Sequence, residues 1–199
     1  MICAPGALDQ SYRHLLYRFY EGGYSPGFFK SNEAKLWIDY ANKAWGEEFE
    51  KEVEAVFAEH GHRTFHGLQM TRVGATKADQ LGEIDVLAFD LTTKTCWIIE
   101  CKNLREARTV KEVSEQLNRF QGRGRDHLHQ HLRRMEWING NRKSLTQFGL
   151  ADDWTIQGRM VTNTLVPMSF KKERPLPLEH WLTLSKLPFD IGSSQTSPH

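Results

Sequence analysis

Two neighbouring stretches in the middle of the chain, residues 84–89 and 95–101, are mostly apolar and are interrupted by few polar residues. Both stretches are rich in β-forming residues, and side chains along a strand point alternately to its two faces. The polar stretch 90–94 between them is short enough to form a hairpin turn. The pattern therefore predicts two antiparallel strands that bury their apolar side chains in one core.

Helical periodicity indicates four further segments. In residues 45–60 the apolar side chains recur every three or four positions, and a glycine follows as a stop. A shorter helix is predicted over residues 31–43. Downstream, Thr109 and Glu112 have capping-box spacing at the start of one helix, and residues 126–139 predict another.

Strand patterns lie on both sides of the later helices. Residues 63–73 predict a first strand, and residues 154–163 and 180–184 predict two more. The resulting order is α-β-β-β-α-β with one further strand. It favours an α/β fold in which helices flank a mixed central sheet.

Charged residues stand at the ends of the two central strands, where a strand buries most of its side chains. Asp85 begins the first strand, and Glu100 and Lys102 share one face at the end of the second, whereas Cys101 points into the core. Hairpin pairing would bring Asp85 beside Glu100. Two carboxylates suit a hard cation such as Mg²⁺, and an ammonium can position an attacking water. The alternative is a hairpin that ends in a salt bridge.

These residues resemble a known family. Gly-Glu-Ile-Asp at 82–85 and Ile-Glu-Cys-Lys-Asn at 99–103 look like the motif of the PD-(D/E)xK nuclease superfamily, which has the restriction-endonuclease-like fold. The resemblance is greatest to the Holliday-junction-resolvase, nuclease-related-domain and bacterial defence-associated branches. Ile84 stands where the name of the family has proline. The motif is specific at residues 82–102 and weak elsewhere.

The resemblance implies a metal-dependent nuclease that hydrolyses DNA, or RNA. It implies Mg²⁺ or Mn²⁺ bound by Asp85, Glu100 and the backbone carbonyl of Cys101, with Lys102 orienting the attacking water. The family also tends to carry a glutamate on the preceding helix and a glutamine on the following one. Here Glu50 and Gln116 are the best matches, with Glu47 and Glu48 as close rivals to Glu50. The resemblance implies that Glu50 holds an outer water or a second metal ion and that Gln116 assists in positioning.

Charge is distributed unevenly along the chain. Residues 101–143 contain eleven Lys or Arg and five Asp or Glu, whereas residues 31–60 contain eight acids and three Lys. A basic stretch beside an acidic site suits a phosphodiester substrate, although a solvated helix face would look the same. The nucleic-acid-binding candidates are Arg105, Arg108, Lys111, Arg119 and Arg123.

Composition fits one globular protein, with 39% hydrophobic and 26% charged residues among 199. We expect residues 1–43 to be an N-terminal extension or accessory helices, residues 44–190 the nuclease-like domain, and residues 191–199 a disordered tail. No apolar run is long enough for a membrane span, and no leader is visible. Three scattered cysteines do not make a disulfide framework, so we expect reduced thiols in a cytoplasmic protein without a membrane partner.

Two alternatives to an active nuclease, and the oligomeric state, stay open at this stage. The chain could be an inactive nucleic-acid-binding module with a nuclease fold. It could be a protein-interaction domain of a larger defence or repair complex, for which the apolar residues at 15–20 offer a patch. Cutting both strands of a duplex would favour a homodimer.

A histidine cluster in the last predicted helix resembles a metal site at first sight. His127 and His131 share a helix face but His129 points away, and no carboxylate or cysteine pattern completes the set. We therefore expect surface placement or contact with a DNA backbone. Arg133 and Arg134 with Trp137 are candidates for a phosphate-contacting edge, and the alternative is a core tryptophan flanked by surface charge.

Overall fold

The computed structural model describes residues 5–20, 24, 26–105, 107, 109–124, 126–170, 176–188 and 191. The chain divides into two compact units, Met1–Glu48 and Phe49–His199. Among the described residues, no helix is both long and apolar enough to cross a membrane.

The first unit is helical. Helix α1 spans Pro5–Tyr20, and the first part of helix α2, which spans Asn32–Glu59, follows it. The Ser31 hydroxyl accepts a hydrogen bond from the backbone N–H of Ala34 at 3.4 Å, at the start of α2. The two helices predicted over residues 31–60 are one continuous helix, because Gly46 does not adopt the left-handed conformation that would end it.

The second unit contains a five-stranded sheet in the order β1-β2-β3-β4-β5. Strands β1, β2 and β3 are antiparallel, whereas β3, β4 and β5 are parallel. The predicted mixed sheet flanked by helices is therefore confirmed. The strands span Arg63–Gln69, Glu83–Asp90, Thr95–Lys102, Thr155–Thr162 and Trp181–Thr183.

The prediction that the first strand runs to residue 73 is wrong. Strand β1 ends at Gln69, and Met70–Val73 forms a 3₁₀ turn instead. This turn buries the side chains of Met70 and Val73, and the N–H of Met70 donates to the carbonyl of Gly82 at 2.9 Å. Because the chain turns tightly here, the alternation of side chains between two faces that marks a strand does not continue beyond Gln69.

Two helices of the second unit follow the central hairpin. Helix α3 spans Val110–Arg119, and α4 spans His127–Gly140. The predicted capping box of α3 is confirmed, because the N–H of Glu112 donates to the Thr109 hydroxyl and the N–H of Thr109 donates to the Glu112 carboxylate. Ile191, the first residue of the predicted tail, is buried, and residues 192–199 lie outside the described residues.

Each face of the sheet has its own apolar core. On one face, Phe49, Val53 and Phe57 of α2 pack with side chains such as Val86 and Cys101. The other core joins strand residues to α4 and to the segment after it, through Leu87, Phe89, Cys96, Ile98, Ile138, Leu145 and Leu150. Cys96 and Cys101 lie in opposite cores, as the strand alternation predicts.

Strands β2 and β3 separate at one end of the sheet. Their pairing ends at Val86 with Ile99, whereas β3 stays paired with β4 as far as Lys102. At the same level, Gly67 of β1 has a φ of +59°, a conformation that favours glycine, and it lies opposite Asp85. The separation leaves space between Asp85 and the end of β3, and it positions the site described below.

The core on the α2 face should dominate the stability of the second unit. Phe57 is fully buried there, so Phe57→Ala should lower the free energy of unfolding by about 3–5 kcal/mol. Urea denaturation measures this change. The exposed Phe170 provides a control, and Phe170→Ala should change the free energy by less than about 0.5 kcal/mol. Equal effects of the two substitutions would contradict this assignment of the core.

Candidate active site

One ammonium group contacts both carboxylates at the separated strand ends. Lys102 Nζ lies 2.8 Å from Glu100 Oε1 and 3.4 Å from Asp85 Oδ2. Asp85 Oδ2 also accepts the backbone N–H of Cys101 at 2.8 Å. Asp85 and Glu100 are 5% and 1% exposed, so both charges are almost completely removed from water. The structure thus brings Asp85, Glu100 and Lys102 together, as the hairpin pairing predicts.

A second cation, Arg134 of α4, binds the same glutamate. Its Nη1 donates to Glu100 Oε2, and its Nε donates to the carbonyl of Leu81 at 2.6 Å. The expectation that Arg134 forms a phosphate-contacting edge is wrong, because the residue is buried and both contacts are internal. Its position could have been found from sequence, because it lies on the inward stripe of α4 that contains Leu128 and Ile138.

The electrostatic environment shifts the pKa values of the two carboxylates in opposite directions. Burial disfavours the charge of Glu100, but Lys102 and Arg134 outweigh it and lower the pKa of Glu100 to about 2. Burial, followed by repulsion from Glu100, raises the pKa of Asp85 to about 7, against the attraction of Lys102. Burial opposes the charge of Lys102, but the two carboxylates raise its pKa above the usual value. One carboxylate is therefore always ionised, and the other titrates near neutrality.

His131 lies beside Glu100 and is fully buried, so its expected surface placement is wrong. Neither ring nitrogen has a hydrogen-bond partner among the described residues. Burial lowers the pKa of His131 to about 4, against the attraction of Glu100, so the ring is neutral at physiological pH. Gly158 of β4 makes room for it, because a Cβ atom there would lie 2.7 Å from His131 Nε2.

His127 also faces the site, whereas His129 does not join it. Burial lowers the pKa of His127, and the positive charge of Lys102 adds to the effect. The backbone N–H of His129 donates to the helix cap Asp126 at 2.7 Å. The helix thus presents a neutral imidazole pair, His127 and His131, towards Glu100 and Lys102.

Glu50 of α2 approaches the site from the other face of the sheet. Its Oε2 lies 3.1 Å from His66 Nε2 of β1. Burial raises the pKa of Glu50, while His66 and then Lys102 act against that rise, so the carboxylate is within electrostatic range of the ammonium. The rivals Glu47 and Glu48 are exposed.

Sequence reasoning missed His66 as the partner of Glu50. A pattern for it exists, because Glu50 and Glu54 are one helical turn apart and face alternate residues of β1. The Thr64 hydroxyl donates to Glu54 Oε1 at 3.0 Å, two residues before His66. Two residues four positions apart on α2 therefore contact two residues that are two positions apart on β1.

Gln116 is buried on α3 but does not touch the carboxylates. Its Nε2 donates to the carbonyl of Arg105 at 2.6 Å, and its Oε1 accepts no hydrogen bond from the described residues. The contact ties α3 to the segment that leaves the end of β3. Any role of Gln116 in positioning a water or phosphate stays a prediction.

The basic candidates around α3 are exposed. Lys111 lies 3.9 Å from Glu115, and Arg119 is close enough to His127 to lower the pKa of that histidine. Since His127 also interacts with Lys102, the end of α3 lies on the side of the candidate site. Arg105 and Arg123 are exposed, and Arg108 lies outside the described residues.

The donor set can be tested for a divalent cation. Among the residues that the structure describes, no group of three or more His, Cys, Asp or Glu could hold a metal ion. Mg²⁺, however, is often held by one or two carboxylates and keeps several waters. The Lys102 ammonium already occupies a position shared by Asp85 and Glu100, and Asp85 Oδ1 accepts no hydrogen bond from described residues. Asp85 Oδ1 is thus the oxygen that a cation could bind directly, and a cation in place of the Lys102 ammonium would also reach Glu100 Oε1, whereas Arg134 occupies Glu100 Oε2.

Comparison with known proteins gives one match. Residues 1–186 match the model of the family described as "Anti-phage protein Upx-like". No curated protein matches the chain, and no solved structure matches it.

Arg134 should be needed for the stability of the buried network. Arg134→Met removes one of the two cations from the buried Glu100 and should lower the free energy of unfolding by about 3 kcal/mol. The neighbouring Arg133 is exposed and provides a matched control, for which Arg133→Met should have little effect. Adding Glu100→Gln to Arg134→Met should recover part of the loss in urea denaturation. If the stability change of the double variant equalled the sum of the changes of the two single variants, the two side chains would not be coupled.

Asp85 should make the protein less stable as the pH rises. Its pKa is about 7 in the folded chain and near 3.8 when unperturbed, so the unfolded chain releases this proton first. The Asp85 contribution to the free energy of unfolding is therefore fully present below about pH 4 and is lost by about pH 7. Asp85→Asn should remove this slope and be more stable than the wild type at about pH 8, by about 2 kcal/mol.

Thermal and urea unfolding across this pH range test the prediction. The exposed Asp152 supplies the control, and Asp152→Asn should follow the wild-type profile. An Asp85→Asn variant that is less stable than the wild type at about pH 8 would contradict the unfavourable ionisation of Asp85.

Proposed function

Because this chain belongs to the Upx-like family of anti-phage proteins, we propose that it acts in phage defence as a metal-dependent nuclease on DNA. The observation that carries the proposal is the pair of buried carboxylates, Asp85 and Glu100, that share one ammonium where β2 and β3 separate. Burying two carboxylates lowers the stability of the fold. A cation between them is needed to offset their mutual repulsion.

The residue pattern supports the same activity. Asp85, Glu100 and Lys102 resemble the motif of PD-(D/E)xK nucleases in both spacing and order. Asp85, Glu100 and the carbonyl of Cys101 would hold Mg²⁺ or Mn²⁺. When bound, such an ion would supply Lewis-acid polarisation of a phosphoryl oxygen and a lowered pKa for an attacking water.

The protein's own groups have distinct tasks in this proposal. Lys102 offsets charge that builds on the phosphate and orients the water, because its pKa is raised and it carries its proton throughout. Arg134, fixed by the carbonyl of Leu81, holds Glu100 in place and ionised. Near neutral pH, Asp85 would release its proton when it binds a cation.

Outer residues complete the proposed site. Glu50, oriented by His66, would accept hydrogen bonds from a more distant water. Gln116 would position water or phosphate through its open Oε1. The exposed cations Arg105, Lys111, Arg119 and Arg123 would contact the phosphate backbone from the side of α3.

One observation favours a second candidate. Glu100 contacts both Lys102 and Arg134, so the charge of this carboxylate is already balanced without a metal ion. A domain of this kind could bind nucleic acid, or a protein partner in a defence complex, without cutting. Activity measurements distinguish this binding module from the nuclease.

The nuclease proposal predicts loss of cleavage when Lys102 is replaced. Supercoiled plasmid, linear duplex and single-stranded RNA are offered with Mg²⁺, Mn²⁺ or a chelator. The wild type should cut DNA only with metal, and Lys102→Met should be slower by about 100-fold or more. The exposed Lys111 serves as the matched control, and Lys111→Met should keep the cleavage rate within about tenfold because it affects only backbone contact.

Two results would contradict the nuclease. Salt-dependent DNA binding by the wild type without any cleavage would favour the inactive module. Cleavage that survives in a well-folded Lys102→Met protein would remove the assigned role of Lys102. Far-UV circular dichroism and a thermal melt of each variant exclude misfolding as the cause of lost activity.

A further inference from the structure

Helix α1 is exposed on nearly all sides. Among its described side chains, only Arg18 and Phe19 are even partly covered, and none is buried. A helix of 16 residues is near the lower limit of length that is stable alone in water, and helices in proteins are stabilised mostly by packing an apolar face. Most apolar side chains of α1 therefore stay exposed, and its contacts with the rest of its own unit are at its C-terminal end, where Phe19 and Tyr20 meet Trp37.

The apolar face of α1 forms a stripe. Leu15 and Leu16 lie three and four residues after Tyr12, and Tyr20 lies four residues after Leu16, which places these four side chains on one side of the helix. Gln10 lies on the opposite side. The pattern is that of a helix that packs through one side.

Helix α2 extends this stripe within the same unit. Leu36, Trp37 and Tyr40 share one face of α2. The Tyr20 and Trp37 rings meet edge to face with centroids 6.4 Å apart, and Trp37 Nε1 donates to the carbonyl of Phe19 at 3.3 Å. We name the four residues of the α1 stripe and these three of α2 the aromatic patch.

The aromatic patch has the size of a protein interface. Its residues are between 38% (Leu16) and 69% (Leu36) exposed. Aromatic side chains bury roughly 150–250 Å² each, so the patch offers on the order of 700 Å² of apolar surface. A standard interface buries about 800 Å² per partner, and the largest patch on a typical monomer is about 300–600 Å².

The charge of the unit argues for a second copy of this chain as the occupant. Residues 1–48 contain five Lys or Arg and six Asp or Glu. This balance gives neither the basic excess that an anionic membrane or nucleic acid would attract nor a field that would repel an identical surface. A symmetric interface needs only a self-complementary apolar patch.

We propose that the aromatic patch is the interface of a symmetric dimer of this chain. Each copy covers the α1 stripe and the adjoining α2 face of the other. The dimer does not depend on the proposed nuclease activity.

Molecular mass in solution tests the dimer on the full chain. Sedimentation equilibrium over the micromolar range should give twice the 23.1 kDa of one chain for the wild type. In a symmetric interface Leu16→Asp would bury one carboxylate from each copy, so it should weaken dimerisation by about 100-fold or more. Tyr40→Asp should do the same from α2, whereas the matched control Gln10→Asp should stay dimeric.

Circular dichroism confirms that each variant keeps its helices and sheet, since all three positions are exposed in a single chain. A wild type that is monomeric throughout would overturn the proposal. A dimer that survives both Leu16→Asp and Tyr40→Asp would overturn it too, because its interface would lie elsewhere. Both results are independent of any cleavage measurement.

Discussion

The contact of one ammonium with two buried carboxylates is the constraint on which the site depends. Lys102 can reach both Asp85 and Glu100 because β2 and β3 stop pairing one residue before them. The Asp85 carboxylate then accepts the N–H of Cys101, so this backbone group keeps a partner where the strands separate. The separated strand ends thus hold three charged side chains in contact.

The surrounding elements support this arrangement from both faces of the sheet. Helix α4 brings Arg134 to Glu100 and places the neutral His131 beside it, which Gly158 permits by lacking a side chain. Helix α2 brings Glu50, with His66 as its partner. Of the two central carboxylates, Asp85 is the one whose negative charge is not fully offset by nearby cations, as its raised pKa indicates. Such a stability cost is expected of a functional site.

Local patterns predicted most of the fold. Strand alternation placed Glu100 and Lys102 on one face and Cys101 on the other, and the capping box placed the start of α3, because both depend on neighbours along the chain. Predictions were poorer where distant contacts decide. Arg134 and His131 looked solvent-exposed by residue type, although the apolar stripe of α4 marks their side of the helix, and their contact with Glu100 depends on how α4 packs on the sheet. The end of β1 at Gln69 likewise depends on a hydrogen bond to Gly82.

Calorimetric titration of Mn²⁺ into the wild type and Asp85→Asn tests the proposed metal centre most directly. At about pH 8 Asp85 is ionised, and at about pH 6 it is mostly protonated, so binding must displace its proton at the lower pH. The metal-centre proposal predicts saturable binding by the wild type that is tighter at the higher pH, and its loss in Asp85→Asn. Absence of binding at either pH, or equal affinity of the two proteins, would contradict it.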